Sequence, residues 1–291
     1  MRAFSRLILK TYLSISELQE DLDTKRSSGG SIGFVPTLGA LHEGHVSLLK
    51  ESKKRCGITV CSIFVNPTQF NNPVDYELYP RNTEKDKKIL EEAGCDCLFL
   101  PGVGEIYPSE DYKHISFDPG RLGQVLEGAH RPGHFSGMAS VVKRLLDIVR
   151  PDKAFFGQKD FQQYLIIKKM AGYYNLPMEI VRCPTIRENN GLAMSSRNQR
   201  LSLEEREKAS LIYRTLTWAE HEINAGMLSF ETIMERAAFD LTEKGEFKVD
   251  YFDICSANSL ERVSSIKEKE ELAVLTAVWI RDVRLIDNLL A

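Results

Sequence analysis

Hydrophobic positions alternate between strand-like and helix-like spacing over the first two thirds of the chain. Short apolar runs predict strands at residues 7–12, 31–35, 58–65, 95–100, 153–156 and 178–183. Segments with helical spacing separate them, at about residues 16–27, 43–55, 83–93, 135–149 and 160–174. Ser16 and Thr83 are the predicted caps of the first and third of these helices. Because strands and helices alternate, we expect an α/β fold, a doubly wound parallel sheet of the Rossmann-like type.

The last third of the chain follows a different order, with helices first and strands after them. Ser202, with Glu205 as its capping partner, begins a predicted helix that ends near residue 225, and a second helix covers 229–244. Strand-like runs follow at residues 248–254, 272–280 and 283–289. This order predicts a small α+β unit.

Length and composition describe an ordinary globular chain. Its 291 residues correspond to about two domains. We expect a doubly wound domain at 1–185 and a smaller α+β lid domain at 186–291, with the polar loop 186–199 as the hinge. Hydrophobic residues make up 43% and charged residues 27%, which excludes a disordered or collagen-like chain.

Charge and cysteine content exclude further classes of protein. The net charge is −3 and neither domain is strongly basic, so we expect no nucleic-acid partner. Six cysteines without a C-x-x-C pair are too sparse for a disulfide scaffold, and we expect them to be reduced. The first apolar run is too short for a signal peptide, and no segment approaches the ~20 apolar residues that cross a bilayer. We therefore expect a cytoplasmic protein without a membrane partner.

The clearest chemical motif is the segment 34–45, where a predicted strand ends and a helix begins. Such a junction lies at the carboxyl end of a parallel strand, where ligands bind in doubly wound folds. A helix N-terminus favours phosphate, and the imidazoles of His42 and His45, spaced i,i+3, can donate to its oxygens. We expect Gly39 and Gly44 to open the backbone to a ligand. Zinc is the alternative, since His-x-x-His can supply two ligands, although no third ligand is evident.

Three further segments follow predicted strands or join the two domains. Gly157-Gln158-Lys159-Asp160 offers a point positive charge and a carboxylate that can accept from ribose hydroxyls, with Gln163 four residues after the lysine. The segment 191–198 places two serines beside an arginine, a set of donors suited to a phosphate chain. The segment 66–70 offers the neutral amide of Gln69. Taken alone, each segment is also typical of a solvated turn.

The usual glycine-rich nucleotide motifs are absent. The chain has no G-x-x-x-x-G-K-[ST], and Gly102-Val103-Gly104 lacks the third glycine of G-x-G-x-x-G. Phosphate binding would therefore depend on His, Lys, Ser and Arg side chains together with helix ends.

The ordered set of motifs resembles the pantothenate synthetase (pantoate–β-alanine ligase) family of the His-x-Gly-His nucleotidyltransferase superfamily. The signature is His42-Glu43-Gly44-His45. The resemblance also includes Tyr79-Pro80-Arg81 with Asp86, and Leu126-Glu127-Gly128 followed by the segment 131–135. It covers residues 30–200 in unbroken order, whereas the last ~90 residues match mainly in length and general pattern.

The resemblance implies a reaction in two steps. The carboxylate of (R)-pantoate attacks the α-phosphorus of ATP, which gives pantoyl adenylate and pyrophosphate. The amine of β-alanine then attacks the acyl carbon, which gives pantothenate and AMP. The resemblance also implies Mg²⁺ held mainly by the ATP phosphates, no protein metal ligands, and a homodimer whose smaller domain closes over the site.

The resemblance assigns roles to particular positions of this chain. The residues expected to contact ATP are Pro36, Thr37, Leu38, Gly39, Ala40, Leu41, His42, Glu43, Gly44, His45, Gly157, Gln158, Lys159, Asp160, Ile186, Met194, Ser195, Ser196 and Arg197. Of these, the expected catalytic residues are His42, His45, Lys159, Ser195, Ser196 and Arg197. The residues expected to contact the acid and the amine are Asn66, Gln69, Arg131 and Gln163.

Two positions depart from the family pattern, and three other functions stay open. Leu38 stands where the family commonly has Met, and Asn190 stands where Asp is usual, which leaves open how the loop before Gly191 is anchored. The motifs also fit a nucleotidyltransferase acting on a phosphorylated acceptor, a zinc hydrolase, or a nucleotide-responsive binding module without turnover. The neutral pair Gln69 and Gln163 favours a small hydroxy acid over a phosphorylated acceptor.

Overall fold

A six-stranded parallel sheet forms the larger part of the molecule. The computed structural model describes residues 9–70, 76–77, 79–265 and 271–291. The strand order is β1-β4-β3-β2-β5-β6, and every pairing within this sheet is parallel. The strands are β1 (Lys10–Tyr12), β2 (Ile32–Thr37), β3 (Ile58–Ile63), β4 (Cys97–Phe99), β5 (Lys153–Gly157) and β6 (Glu179–Cys183). The predicted fold class is confirmed.

The helices of the parallel unit connect the strands and cover the sheet. They are α1 (Ile15–Ser27), α2 (Glu43–Arg55), α3 (Thr83–Glu92), α4 (Val103–Ile106), α5 (Glu127–His130), α6 (His134–Val149) and α7 (Phe161–Tyr173). Phe34 and Phe155, on adjacent strands, are fully buried in two different hydrophobic clusters, as expected for strands covered on both sides. Within the described residues, no helix is both long and apolar enough to cross a membrane.

Two helix caps differ from the prediction. Helix α1 begins after Ser14, whose hydroxyl accepts from Glu17 N, so Ser16 lies inside the helix. Helix α3 begins after Asn82, whose side chain accepts from Lys85 N, and Thr83 is its first residue. Serine and asparagine are both strong N-caps. In each helix the observed cap, Ser14 or Asn82, lies one or two residues before the predicted one.

Several strands are shorter than the apolar runs that predicted them. Residues 7–8 of the predicted first strand, and 71–75 and 78 of the predicted loop 66–82, lie outside the described residues. Of the run 95–100, only Cys97–Phe99 forms a strand. The strand begins late because Cys95 N donates to Leu90 O and closes the end of α3. The run 58–65 ends as a strand at Ile63, and the chain then enters a 3₁₀ turn at Pro67–Gln69.

The C-terminal part forms a separate antiparallel sheet with two helices. The predicted capping box of Ser202 and Glu205 is confirmed. Ser229, which the sequence placed inside the second helix, is its N-cap. The sheet has the order β7-β8-β9. The elements are α8 (Leu203–Ala225), α9 (Phe230–Glu243), β7 (Lys248–Ser256), β8 (Leu272–Ile280) and β9 (Val283–Leu290). The domain division at residue 185 and the hinge at 186–199 stay predictions.

A buried charge network joins the C-terminal sheet to the parallel unit. Arg284 of β9 donates to both carboxylate oxygens of Glu127, at 2.6 and 2.8 Å, and its Nε donates to Asp250 at 2.7 Å. Tyr251 OH also donates to Glu127, at 2.8 Å. Burial raises the pKa of Glu127, but Arg284 outweighs that effect and holds the pKa below its ordinary value. The carboxylate is therefore ionised, and its partners come largely from the other sheet.

Replacing Arg284 should destabilise the protein strongly. Arg284→Met removes the cation but leaves Glu127 and Asp250 buried, so we expect a loss of about 3–5 kcal/mol in the free energy of unfolding, measured by urea denaturation. Adding Glu127→Gln should recover part of the loss, because an uncharged amide costs less to bury. Arg200→Met is the control, because Arg200 and its partner Asp282 are both exposed, so that no buried charge is left behind. Equal losses for both arginine variants would contradict a special role for the buried network.

Candidate active site

The cavity that collects most of the predicted residues opens where β2 and β5 end. These neighbouring strands lie at the point where the strand order reverses, which is where ligands bind in doubly wound sheets. Its accessible volume is about 240 Å³. The predicted residues that line it are Pro36, Thr37, Leu38, His42, Gly44, His45, Gln69, Arg131, Gly157, Lys159, Asp160, Gln163, Ile186, Met194, Ser195, Ser196 and Arg197.

Six predicted residues do not line this cavity. Asn66 is fully buried, and its amide donates to Gln69 Oε1 and to Gly137 O while its oxygen accepts from Tyr107 OH at 2.8 Å. Asn66 is therefore committed to protein contacts and orients Gln69. The other five are Gly39, Ala40, Leu41, Glu43 and Gln158.

Asp86 holds the loop between β2 and α2. This buried carboxylate accepts from Ala40 N at 2.9 Å and from Leu41 N at 2.8 Å. Gly39 has φ +83°, and an added Cβ would lie 3.1 Å from Asp86 Oδ2. Gly39 therefore makes the turn and admits Asp86. It does not line the cavity, and its expected contact with a ligand stays a prediction. The contact between Asp86 and the loop was missed, because nothing in the local pattern links residues 46 positions apart.

The two imidazoles cap the helix that carries them. His42 Nδ1 accepts from Gly44 N at 3.1 Å, and His45 Nδ1 accepts from His42 N at 3.3 Å. A backbone N–H can only donate, so each Nδ1 carries the lone pair and each neutral ring keeps its proton on Nε2. The rings lie 4.1 Å apart, centroid to centroid. An N–H donor on each ring thus supplements the backbone donors that were predicted to face phosphate.

Gly44 serves this capping arrangement. A Cβ at this position would lie 2.8 Å from His42 Cε1 and 2.9 Å from His42 Nδ1. The His42 ring thus fills the space beside Gly44. Gly44 also lines the cavity, and its opening of the backbone to a ligand stays a prediction.

Burial keeps both imidazoles uncharged at neutral pH. Burial, reinforced by the positive charge of Lys159, lowers the pKa of His42 to about 4. Burial and the neighbouring His42 lower the pKa of His45 to about 3. Both rings therefore act as neutral hydrogen-bond donors rather than as cations.

Three cations make the cavity attractive to anions. Lys159 Nζ lies 3.6 Å from Asp160 Oδ1. Burial and the nearby Arg197 lower the pKa of Arg131 to about 10, which leaves it charged at neutral pH. Burial opposes ionisation of Asp160, but Lys159 and Arg197 outweigh it and keep the pKa of that carboxyl below its ordinary value. The described lining thus holds three positive groups against one carboxylate.

His134 is a lining residue that the sequence analysis did not single out. Its Nδ1 lies 2.9 Å from Gln69 O, and a carbonyl oxygen only accepts, so the proton of this neutral ring is on Nδ1. Its Nε2 then carries a lone pair, the reverse of the arrangement in His42 and His45. Burial, with the charge of Arg131, lowers the pKa of His134 to about 4. The ring offers an acceptor in a cavity rich in donors, a role that the sequence pattern did not indicate.

The loop before the serine pair is anchored by Asn190. Its amide nitrogen donates to Arg206 O at 3.1 Å and to Glu207 Oε2 at 3.2 Å, while its oxygen accepts from Leu192 N. Ser195 caps the 3₁₀ turn Ser196–Arg200 through a bond from Arg197 N. The asparagine that departs from the family pattern therefore holds the loop without a negative charge. Leu38, the other departure, lines the cavity.

The part of the chain that the structure describes contains no group of metal-binding side chains. No three His, Cys, Asp or Glu residues there come close enough together to hold a metal ion. All six cysteines are unpaired and buried.

The fold and the cavity define a Rossmann-like α/β protein whose positively charged cleft is lined by a His-x-Gly-His helix start. The family model of the pantoate-beta-alanine ligases matches residues 10–290. With this match over nearly the whole length, the chain belongs to the pantoate–β-alanine ligase family.

Similar proteins agree with this assignment. Pantothenate synthetase from Cytophaga hutchinsonii is 46% identical over 276 residues, covering 95% of this chain and 97% of the relative. A solved pantothenate synthetase from Thermus thermophilus is 39% identical, with a TM-score of 0.89 over 97% of this chain and 99% of that one. A pantoate-beta-alanine ligase from Francisella tularensis, solved with beta-gamma ATP and beta-alanine, is 34% identical, with a TM-score of 0.78 and 97% coverage of both chains.

Asp86→Asn should weaken the site through the loop that Asp86 holds. The amide has one acceptor oxygen where the carboxylate has two, so one of the Ala40 and Leu41 amide groups loses its partner. We expect a loss of about 1–3 kcal/mol in stability, measured by urea denaturation. Asp118→Asn is the control, because Asp118 also accepts from a backbone N–H but is exposed. An unchanged stability for Asp86→Asn would contradict the anchoring role.

The lowered pKa of His134 predicts a loss of stability in acid. The folded-state pKa of about 4 lies below that of an unfolded histidine, so the contribution is complete above pH ~6.5 and is lost as the pH falls toward 4. His134→Asn keeps a donor for the Gln69 carbonyl but cannot titrate. Between pH 7 and 5, the variant should lose about 2 kcal/mol less unfolding free energy than the parent. The exposed His221→Asn should behave like the parent, and identical acid sensitivity of all three proteins would contradict the burial of a neutral ring.

Proposed function

We propose that this protein condenses (R)-pantoate with β-alanine to give pantothenate, with ATP as the energy source and pantoyl adenylate as the intermediate. The membership of the ligase family supports the overall reaction. The observation that carries the chemistry is the meeting of His42, His45 and Lys159 at the carboxyl ends of β2 and β5.

The first step needs positive charge because two anions must meet. A carboxylate repels the triphosphate, and attack on the α-phosphorus adds charge to the oxygens that surround it. Lys159, Arg197 and the Nε2–H groups of the two histidines can offset this charge. The serine pair at 195–196 supplies hydroxyl donors for the departing pyrophosphate.

Mg²⁺ accompanies ATP in this proposal. Magnesium is usually held by substrate phosphates together with one or two carboxylates, and Asp160 is a half-exposed carboxylate in the cavity lining. The site therefore fits a metal that the nucleotide brings with it. When bound, Mg²⁺ would neutralise part of the phosphate charge.

Neutral side chains face the organic substrates. Gln69 and Gln163 can pair with the hydroxyl groups of pantoate, and the Nε2 lone pair of His134 provides a further acceptor. Arg131 offers a cation for a substrate carboxylate. Asn66 acts indirectly, because its amide donates to Gln69 and orients that side chain. In the second step the β-alanine amine attacks the acyl carbon of the adenylate and AMP leaves.

The assembly and the location follow from the family resemblance. We propose a homodimer, which analytical ultracentrifugation of the purified protein would test. A cytoplasmic location agrees with the six unpaired cysteines, which reducing compartments favour.

Exchange of labelled pyrophosphate into ATP tests the proposal. It should require (R)-pantoate and proceed without β-alanine, and the complete reaction should release AMP and pyrophosphate. Lys159→Ala and His45→Ala should each lower the exchange rate by at least ~10²-fold, the usual size of an electrostatic or acid–base contribution.

A matched control separates charge at the site from charge in general. Lys168→Ala removes an exposed lysine on α7 and should leave exchange unchanged. Release of ADP and phosphate would refute an adenylate intermediate, and exchange without pantoate would favour a plain nucleotidyltransferase. Near-normal exchange in Lys159→Ala would remove that residue from the chemistry.

A further inference from the structure

The last strand of the C-terminal sheet contacts two of the loops that line the candidate ATP site. They are the turn that carries Lys159 and the loop that leads to Ser195. Successive side chains of a strand point to opposite sides, so neighbouring residues can reach different partners. Val283 and Leu285 pack into the core of the C-terminal unit, whereas Arg284 faces Glu127 of the parallel unit. Asp287 and Asn288 continue this alternation near the end of β9, where both are almost completely buried.

Asn288 binds the turn that carries Lys159. Its Nδ2 donates to Lys159 O at 2.9 Å and to Gln158 O at 3.0 Å, so both amide hydrogens are used. Gln158 returns a longer bond to Asn288 Oδ1, at 3.4 Å. The backbone of the turn from Gln158 to Asp160 is therefore held by a side chain that comes from the other sheet.

Asp287 binds the loop that leads to the serine pair. Arg187 donates to its two carboxylate oxygens at 2.6 and 3.1 Å. The same guanidinium donates to Gly191 O at 3.1 Å and lies 3.8 Å from the ring of Tyr213. This paired and stacked arginine fixes both sides of the loop that carries Met194 and Ser195 into the cavity.

The two contacts are also connected to each other. Asn288 N donates to Asp287 Oδ1 at 2.8 Å, and Arg187 donates to Asn288 O at 3.4 Å. One dipeptide therefore links the lysine turn and the serine loop, which approach the cavity from separate parts of the chain.

We propose that Asp287 and Asn288 are positioning residues that set the separation between Lys159 and the Ser195–Arg197 segment for adenylate formation. The inference deepens the proposed function and rests on it. Neither residue lines the cavity between β2 and β5. Both line a smaller adjoining cavity together with Lys159, and their hydrogen bonds hold the two loops that carry Lys159 and Ser195. An electrostatic contribution depends on placing donors where charge develops, so a small shift of either loop lowers the rate.

Asn288→Asp is the sharpest variant. It keeps the shape of the side chain but places a carboxylate against the Gln158 and Lys159 carbonyl oxygens, so the turn must move. We expect at least a ~10-fold lower rate of pantoate-dependent pyrophosphate exchange, a loss of about 1.4 kcal/mol in transition-state stabilisation. Asn288→Ala removes the donors without adding charge, and it tests the same contact if the aspartate variant does not fold.

A double-mutant cycle distinguishes positioning from general destabilisation. If Asn288 acts through Lys159, then Asn288→Asp should change exchange by less than ~3-fold in a Lys159→Ala background. A merely structural loss would lower exchange equally in both backgrounds. Asp287→Asn should likewise reduce exchange in the parent, and much less in an Arg197→Ala background.

Asp253→Asn provides the matched control. Asp253 is a buried carboxylate of the same sheet, and Arg262 Nε donates to it at 2.7 Å, but neither residue contacts the two loops. This variant should exchange like the parent. If the parent itself shows no pantoate-dependent exchange, the proposed function fails. If the parent is active and the Asn288 and Asp287 variants match the Asp253 control, or the cycle is additive, the positioning inference is overturned.

Discussion

Strands β2 and β5 lie side by side, while the chain continues from them in opposite directions across the sheet. Crossovers from β2 lead to β3 and β4 on one side, and β6 lies beyond β5 on the other. The connections after β2 and β5 therefore leave a crevice between them. The His-x-Gly-His helix follows one strand and the Lys159 turn follows the other. This strand order alone brings the two histidines close to Lys159, and the other residues of the site refine their positions.

Within that crevice, burial lowers the pKa of both kinds of nitrogen base, but it removes the charge of only one of them. It drives the pKa of His42 and of His45 far below neutrality, so both rings stay uncharged and keep the tautomer that their helix caps require. Arg131 is buried as well, but its intrinsic pKa is so high that it remains a cation. The site thus combines neutral donors of fixed direction with fixed positive charge. Such a combination stabilises charge as it develops on phosphate without reorganisation of solvent.

The sequence predicted the parts of this arrangement that depend on local pattern. Alternating spacing located the strands and helices, and the position of His42 and His45 after a strand indicated the correct edge of the sheet. The contacts of Asp86 and His134 were missed, because each joins segments far apart in the chain. Gly39 and Gly44 were identified as positions where a side chain would interfere, but the sequence did not show that Asp86 and the His42 ring lie against them. A sequence shows that a side chain is absent, whereas only the fold shows which group fills the space.

The C-terminal unit was predicted to be a lid over the site, and the contacts of its last strand, β9, give that strand a further role. Arg284 and Asn288 lie on the same side of this strand, and both bind the parallel unit. Asp287 points the other way and binds the loop that connects the two units. A rotation of the C-terminal unit would either break these buried bonds, at the cost of leaving charges and amides without partners, or carry the Lys159 turn and the serine loop along with it. Movement of this unit and placement of the phosphate-binding groups are therefore physically coupled through the residues of a single strand.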